Sequence, residues 1–332
     1  MTVYALNGLG RMGKLALRPL LESGAELAFI NDAVGDPEMH AHLLEFDSVH
    51  GRWPAEFGSD GTSITIDDIC IPVNCSRNLE DLPLEGVDVM IDCTGAFKTA
   101  ASLAPYFAAG VKKVVVSAPV KDGPTANIVY GVNESEFDPA KHQIITAASC
   151  TTNCLAPVVK VLMEGIGIKH GSITTIHDVT NTQTIIDRPA KDLRRARSAL
   201  TNLIPTTTGS AKAIIQIFPD MAGKIDGTAV RVPLLNASLT DMVFDVSRDT
   251  TVEEVNGLFA EAAVGELEGI LGYETRPLVS CDFTNDDRST IVDALSTRVV
   301  NGKHVKIYAW YDNEWGYAFR LADVTRMVLN SL

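Results

Sequence analysis

The chain has 332 residues, 46% of them hydrophobic and 21% charged, with a formal net charge of −14. These are globular values for about two domains, and they exclude a disordered chain or a nucleic-acid binder that relies on global phosphate attraction. No apolar run approaches the ~18 residues of a membrane helix, segment 1–8 lacks the pattern of a signal peptide, and six Cys are too sparse for a disulfide scaffold, so a reducing cytoplasm is expected.

Residues 3–7 read as a short buried strand that ends in Gly8-Leu9-Gly10-Arg11-Met12-Gly13. A helix over 10–22 and a second strand over 26–32 follow, the unit that opens a parallel doubly wound sheet. Segment 60–74 reads as a hairpin on the edge of that sheet. Strands over 87–93, 113–117 and 143–147, with an Ala-rich helix over 98–110, continue it. After Cys150 the texture changes: a helix over 151–165 precedes a Thr/Ile-rich strand over 172–177. The polar stretch 178–201, with Arg188, Lys191, Arg194, Arg195 and Arg197, is too long for an ordinary connection and reads as a functional or interface loop. Strands over 229–233, 239–246, 290–293 and 305–311, around a helix over 252–263, predict a mainly antiparallel second sheet. A final helix over 322–332 closes the chain.

The G-x-G-x-x-G triplet is a weak signal alone. Here it lies between a strand and a helix, and Asp32 follows at the end of the next strand. Gly8 permits a tight turn, Gly10 lets backbone approach a pyrophosphate, and the helix start after Gly10 offers partial positive charge. Asp32 can take the ribose hydroxyls of an adenosine and would repel a 2′-phosphate, so NAD is expected over NADP.

Ser149-Cys150-Thr151-Thr152-Asn153-Cys154 follows a strand and begins a helix, where the dipole and first-turn N–H groups favour a thiolate. His177 ends the next strand, so a thiolate–imidazolium pair can form across neighbouring elements. Taken singly, Cys150 reads as a small buried residue and His177 as a core histidine. The two cysteines lack a second Cys/His pair at metal spacing, and no metal is expected.

Segments 7–13, 148–157, 204–209 and 310–317 (Asn7-Gly8-Leu9-Gly10-Arg11-Met12-Gly13, Ala148-Ser149-Cys150-Thr151-Thr152-Asn153-Cys154-Leu155-Ala156-Pro157, Ile204-Pro205-Thr206-Thr207-Thr208-Gly209 and Trp310-Tyr311-Asp312-Asn313-Glu314-Trp315-Gly316-Tyr317) resemble the phosphorylating glyceraldehyde-3-phosphate dehydrogenases, in order and over nearly the whole chain. The resemblance implies an α/β architecture: a doubly wound (Rossmann) NAD domain over 1–149, completed by the helical segment 316–332, and an α+β catalytic domain over 150–315. It implies NAD-dependent oxidation of D-glyceraldehyde 3-phosphate, with Cys150 as nucleophile and His177 as acid–base group. Ser149, Thr151, Thr208 and Gly209 would bind the attacking phosphate, and Thr180 with Arg231 the substrate's own phosphate. Gly8, Gly10, Arg11, Met12, Gly13, Asp32, Arg77, Ser117 and Asn313 would bind the cofactor, with Asn313 on the nicotinamide carboxamide. Pro189 matches a position that accompanies NAD preference. Segment 178–201 would pack against a symmetry mate, giving a homotetramer.

The sequence departs from the family at two places. Asp178 follows the histidine where a small polar residue is usual, and an inward carboxylate would raise the pKa of His177. Leu234-Leu235 replace polar or rigid positions after Arg231. With segment 44–53, this resembles a branch found beside arsenate-export genes, which implies arsenate as the attacking oxyanion and 1-arseno-3-phosphoglycerate as product. Erythrose-4-phosphate dehydrogenase is an enzymatic rival, against which the intact Thr208-Gly209 argues; a catalytically silent binding protein is a rival of another class, against which Cys150, His177, Arg231 and Asn313 argue.

Overall fold

A computed structural model of the chain describes residues 2–120 and 122–332; Met1 and Lys121 lie outside the described residues. The chain divides into a first unit, Met1–Ser149 with Ala318–Leu332, and a second, Cys150–Tyr317. In the first, β1 (Val3–Asn7), α1 (Arg11–Leu21) and β2 (Glu26–Asn31) form the expected strand–helix–strand unit. They are followed by α2 (Pro37–Glu45), β3 (Phe46–Asp47), β4 (Gly51–Arg52), β5 (Phe57–Ser59), β6 (Ser63–Ile66) and β7 (Ile69–Asn74). Then come β8 (Val89–Asp92), α3 (Ala100–Ala108), β9 (Lys113–Val116), β10 (Thr125–Asn127) and β11 (Ile144–Thr146). Nine of these strands make one sheet in the order β10-β11-β9-β8-β1-β2-β7-β6-β5. Its central pairings are parallel, and β6 and β5 add an antiparallel edge where the hairpin was expected. Parallel strands are covered on both faces, so β8 and β9 are buried along their whole length.

The second unit contains α4 (Cys150–Gly165), β12 (Ile168–His177), β13 (Ile204–Thr207), α5 (Ser210–Ile217), β14 (Ile225–Arg231) and β15 (Ser238–Val246). It continues with α6 (Val252–Ala263), β16 (Leu271–Glu274), β17 (Thr290–Asp293), β18 (Arg298–Val300) and β19 (His304–Tyr311); α7 (Trp315–Leu329) follows. The sheet order is β13-β14-β12-β15-β19-β17-β16, with β18 beside β19. It is mainly antiparallel as expected, with parallel pairings at β12–β14 and β16–β17.

Several boundaries differ from expectation: β12 begins at Ile168 rather than 172 and β14 at Ile225 rather than 229, because each strand's earlier residues still pair with a neighbour in the sheet. The fourteenth strand ends at Arg231 rather than continuing to 233, because Val232 already turns back, its N–H donating to the His177 carbonyl at 2.9 Å. The last helix starts at Trp315, not near 322, because Asp312 Oδ1 accepts the N–H groups of Glu314 and Trp315 at 2.9 and 2.7 Å and starts the first turn there. The long segment 178–201 folds on itself: Thr184 bridges Ser198, and Arg197 lies 2.6 Å from Asp187. Its apolar side chains Ile185, Ile186 and Leu193 stay 69–81% exposed.

Candidate active site

The turn after β1 is shaped by close packing. Gly8 has φ +96°, and a Cβ there would meet the Cys93 carbonyl carbon at 2.6 Å. A Cβ on Gly13 would lie 1.9 Å from the Gly8 carbonyl oxygen. Gly10 is different: it is the N-cap of α1, no side chain caps that helix, and a Cβ would meet nothing within 4 Å. The result is an open cradle of backbone N–H groups at a positive helix end, which fits a pyrophosphate. Asp32 follows β2, and its Oδ2 accepts the Leu9 N–H at 2.6 Å while Oδ1 accepts the Val34 N–H at 2.9 Å. The carboxylate is thereby fixed against the turn. Arg11 is ion-paired with Asp47, and Met12 beside it is half-buried. Arg77 and Ser117 lie in the loops after β7 and β9. These residues all follow carboxyl ends of strands in the parallel part of the sheet, the edge at which such sheets bind ligands.

Under the turn runs a buried polar chain that no sequence motif announced. Asn31 Nδ2 donates to Asn7 Oδ1 at 2.7 Å, Asn7 Nδ2 to the Tyr106 hydroxyl at 2.6 Å, and that hydroxyl to Asp92 Oδ2 at 2.9 Å. It ties the ends of β2, β1 and β8 to α3 and so holds the glycine turn in place.

In the second unit, Cys150 opens α4 and its Sγ lies 3.7 Å from His177 Nε2. The sheet explains who meets whom. His177 ends β12 and pairs with Arg231 at the end of parallel β14; Ser238 begins β15 and pairs with Tyr311 at the end of β19. Since β14, β12, β15 and β19 are neighbours, their ends bring these four side chains to one edge. The Tyr311 hydroxyl bonds Thr175 at 2.8 Å and Thr151 at 3.0 Å, and its ring stands edge-on to His177. Tyr311 thus braces both the strand that carries the imidazole and the first turn of α4.

His177 is 5% exposed, with Nδ1 2.6 Å from Asp178 Oδ1 and 2.5 Å from Arg231 Nη1. Burial disfavours its charged form, but the Asp178 carboxylate and Cys150 outweigh burial and the repulsion of Arg231, raising its pKa to about 9. Asp178 is buried and faces the ring, the case in which a carboxylate after His177 raises its pKa. Arg231 Nη1 also donates to the Asp178 carbonyl at 2.8 Å, and its buried Nε has no hydrogen-bond partner. A buried guanidinium with an unused donor suits an anion. Asp178 Oδ2 accepts from Asn313 Nδ2 at 2.9 Å, so Asn313 joins the same cluster.

Thr180, Thr208 and Gly209 are held by bonds of their own rather than by the thiol–imidazole pair. Thr180 donates through N and Oγ1 to Gln183 Oε1, whose buried Nε2 has no partner; Gln183 was not singled out from the sequence. Thr208 Oγ1 accepts the Ser210 N–H at 3.2 Å at the start of α5, and Gly209, its N-cap, has no side chain that caps the helix. Ser149 directly precedes Cys150. Cys154, one turn after Cys150, points into the core beside Thr240 and Thr290, and burial pushes its thiol up to about 12. Only Cys150 of the two is placed to react. Arg195, from the basic stretch, is 2.9 Å from Thr206 Oγ1.

Residues 2–100 match the family model described as the NAD binding domain of glyceraldehyde 3-phosphate dehydrogenase, and residues 149–313 match its C-terminal domain. The chain is 57% identical over 331 residues to glyceraldehyde-3-phosphate dehydrogenase 3 of Nostoc sp., with 98% of each chain covered. It is 48% identical over 332 residues to the glyceraldehyde-3-phosphate dehydrogenase of Streptomyces coelicolor, again with 98% of each covered. With that of Geobacillus stearothermophilus the identity is 46% over 326 residues, with 97% of each covered.

Proposed function

The chain belongs to the glyceraldehyde-3-phosphate dehydrogenase family, and we infer from its site that it oxidises D-glyceraldehyde 3-phosphate with NAD and inorganic phosphate to 1,3-bisphosphoglycerate. The observation that carries this reading is Cys150 Sγ at 3.7 Å from His177 Nε2, with His177 paired to Arg231 across β12 and β14.

The Cys150 thiolate attacks the aldehyde carbon, forming a C–S bond, and the His177 imidazolium gives its Nε2 proton to the carbonyl oxygen. The product is a thiohemiacetal. His177 Nε2, now neutral, takes the hydroxyl proton back as the C–H bond breaks, which leaves a thioester on Cys150. NAD, when bound, supplies the acceptor for the hydride. Phosphate then attacks the acyl carbon, and the Cys150 thiolate leaves while the His177 imidazolium stabilises it. The Cys150 N–H in the first turn of α4 would donate to the oxyanion at both addition steps.

For the anions, Arg231 with Thr180 would hold the substrate's own phosphate, supported by the unused Arg231 Nε. Ser149, Thr151, Thr208 and Gly209 would hold the attacking phosphate, supported by the start of α5, where the N-cap Gly209 puts no side chain over the helix end. The cofactor would lie on Gly8, Gly10, Arg11, Met12, Gly13, Asp32, Arg77 and Ser117, with Asn313 on the nicotinamide carboxamide. The exposed Ile185, Ile186, Leu193, Leu200 and Leu203 support self-association, read here as a homotetramer in the cytoplasm. Among the described residues no helix is long and apolar enough to cross a membrane. Arsenate, a near-isostere of phosphate, is the alternative oxyanion, a reading that rests on the resemblance of Leu234, Leu235 and segment 44–53 to the arsenate-linked branch. The test is NADH formation from the aldehyde and NAD in phosphate, in arsenate and in neither. Phosphate-dependent turnover supports the main reading, equal or better turnover in arsenate at low concentration supports the alternative, and oxyanion-independent turnover refutes both.

A further inference from the structure

Asp178 is fully buried, and a buried carboxylate is costly unless other groups compensate it. Its compensation is specific. Oδ1 accepts no hydrogen bond and is compensated by charge, as the ion-pair partner of His177 Nδ1 at 2.6 Å, while Oδ2 accepts from Asn313 Nδ2 at 2.9 Å. Asn313 Oδ1 in turn accepts from Ser238 Oγ at 2.9 Å, and Ser238 Oγ accepts the Asp178 N–H at 3.2 Å, closing a ring of three residues. On its other sides the imidazole meets Cys150 at Nε2, Arg231 Nη1 at 2.5 Å from Nδ1 and the edge of Tyr311, with Arg195 a further positive charge acting on Arg231. Nδ1 also lies 3.0 Å from the Asp178 backbone carbonyl, so the guanidinium competes for Nδ1 with that carbonyl and with the charge of the Asp178 carboxylate. Arg231 favours a neutral ring that accepts its proton; Asp178 favours a ring that carries one.

Resting on the proposed dehydrogenase reading, we propose that Asp178 is a positioning residue that keeps His177 charged with its Nε2 proton toward Cys150 and, through its other oxygen, sets the Asn313 amide. One carboxylate then serves both the acid–base group and the amide that would take the nicotinamide carboxamide. Without its charge, only the backbone carbonyl is left to hold a proton on Nδ1 against the positive Arg231, and the ring turns neutral more readily; without its second oxygen, Asn313 keeps only Ser238.

Asp178→Asn keeps the shape and an acceptor for Asn313 but removes the charge. By ¹⁵N-edited NMR of the cofactor-free protein, the His177 ring stays doubly protonated to about pH 9 in the wild type, whereas in the variant it loses its second proton near the ordinary histidine value and is already neutral above about pH 7. Alkylation of Cys150 by iodoacetamide at pH 7 falls roughly tenfold, as thiolate held by the imidazolium is lost. With substrate, Asp178→Asn lowers kcat with little change in KM for NAD, whereas Asp178→Ala also raises KM for NAD. An unchanged ring titration and alkylation profile in Asp178→Asn overturns the proposal, and so does a wild-type His177 that titrates near 6.5, which needs no variant to fold. The ring and alkylation readouts use neither aldehyde nor NAD, so a failure of the dehydrogenase reading leaves them legible.

Discussion

Two glycines in one turn should fail in opposite ways when given a methyl group. In Gly13→Ala the new Cβ would stand 1.9 Å from the Gly8 carbonyl oxygen and 3.5 Å from Cys93 Cβ. Carbon and oxygen in contact need more than 3 Å, so backbone must move by over 1 Å, and Gly8 is held in place by its N–H bond to the Asn31 carbonyl at 2.7 Å. Overpacking of this kind costs about 1–3 kcal/mol. At about 2–4 °C per kcal/mol for a unit of this size, the melting temperature falls by several degrees. In Gly10→Ala the methyl enters open space, so the fold is untouched apart from a small change in backbone entropy. The same methyl fills the cradle a pyrophosphate would occupy, so NAD no longer protects. In the wild type, NAD at 100 times its Kd adds about 2.7 kcal/mol of stability by mass action, and this increment should vanish in Gly10→Ala. Urea unfolding with and without NAD separates the two effects. A Gly13→Ala variant as stable as wild type, or a Gly10→Ala variant with the full NAD increment, refutes the packing argument.

Cys150→Ser should lose essentially all turnover while folding normally, and His177→Asn should slow it by about 10²- to 10⁴-fold, both measured by NADH formation. Because the raised pKa of His177 keeps the imidazolium through neutral pH, steps that need it should persist below pH 8 and decline as pH rises through about 9, which a kcat/KM profile reads directly. Arg231→Ala should raise KM for the aldehyde by an amount equivalent to about 1.5–3 kcal/mol, while Thr208→Ala should raise KM for phosphate and leave the initial burst of NADH intact. Asp32 should favour NAD over NADP by at least ~10²-fold in kcat/KM, and Asp32→Ala should narrow that ratio in paired assays.

Where local physics decides, the sequence was a sufficient guide. The glycine turn and the Thr/Ile run of β12 appear where spacing put them. Helix α2 escaped notice although Asp36-Pro37 is an N-terminal signature, with Asp36 accepting the Met39 N–H; its apolar face is too weak for periodicity to reveal. Helix α5 has glycine at its N-cap, and the Ser210 N–H is taken instead by Thr208 Oγ1 from one residue further out, so the usual cap signature was not there to read. At the site, Cys150 and His177 were legible from motif and element ends. The contributions of Tyr311, Ser238 and Gln183 were not, because each depends on strand pairing or on a bond within a loop. Asp178 lay between these cases: its charge was visible beside His177, but its bond to Asn313 joins residues 135 positions apart.

The pairing of His177 with Arg231 and of Ser238 with Tyr311 also determines which changes the lineage can absorb. Side chains alternate along a strand, so one inserted or deleted residue within β12, β14, β15 or β19 would turn a reacting group to the opposite side of the sheet. Length there is frozen by geometry. Beyond their first residues the segments leaving those strands carry no such constraint, and it is there that this chain places Leu234 and Leu235, whereas Asp178, buried and tied to Ser238 and Asn313, belongs to the fixed part. New oxyanion preferences or subunit contacts can therefore arise by editing the loops, while the attack on the aldehyde is inherited as a register.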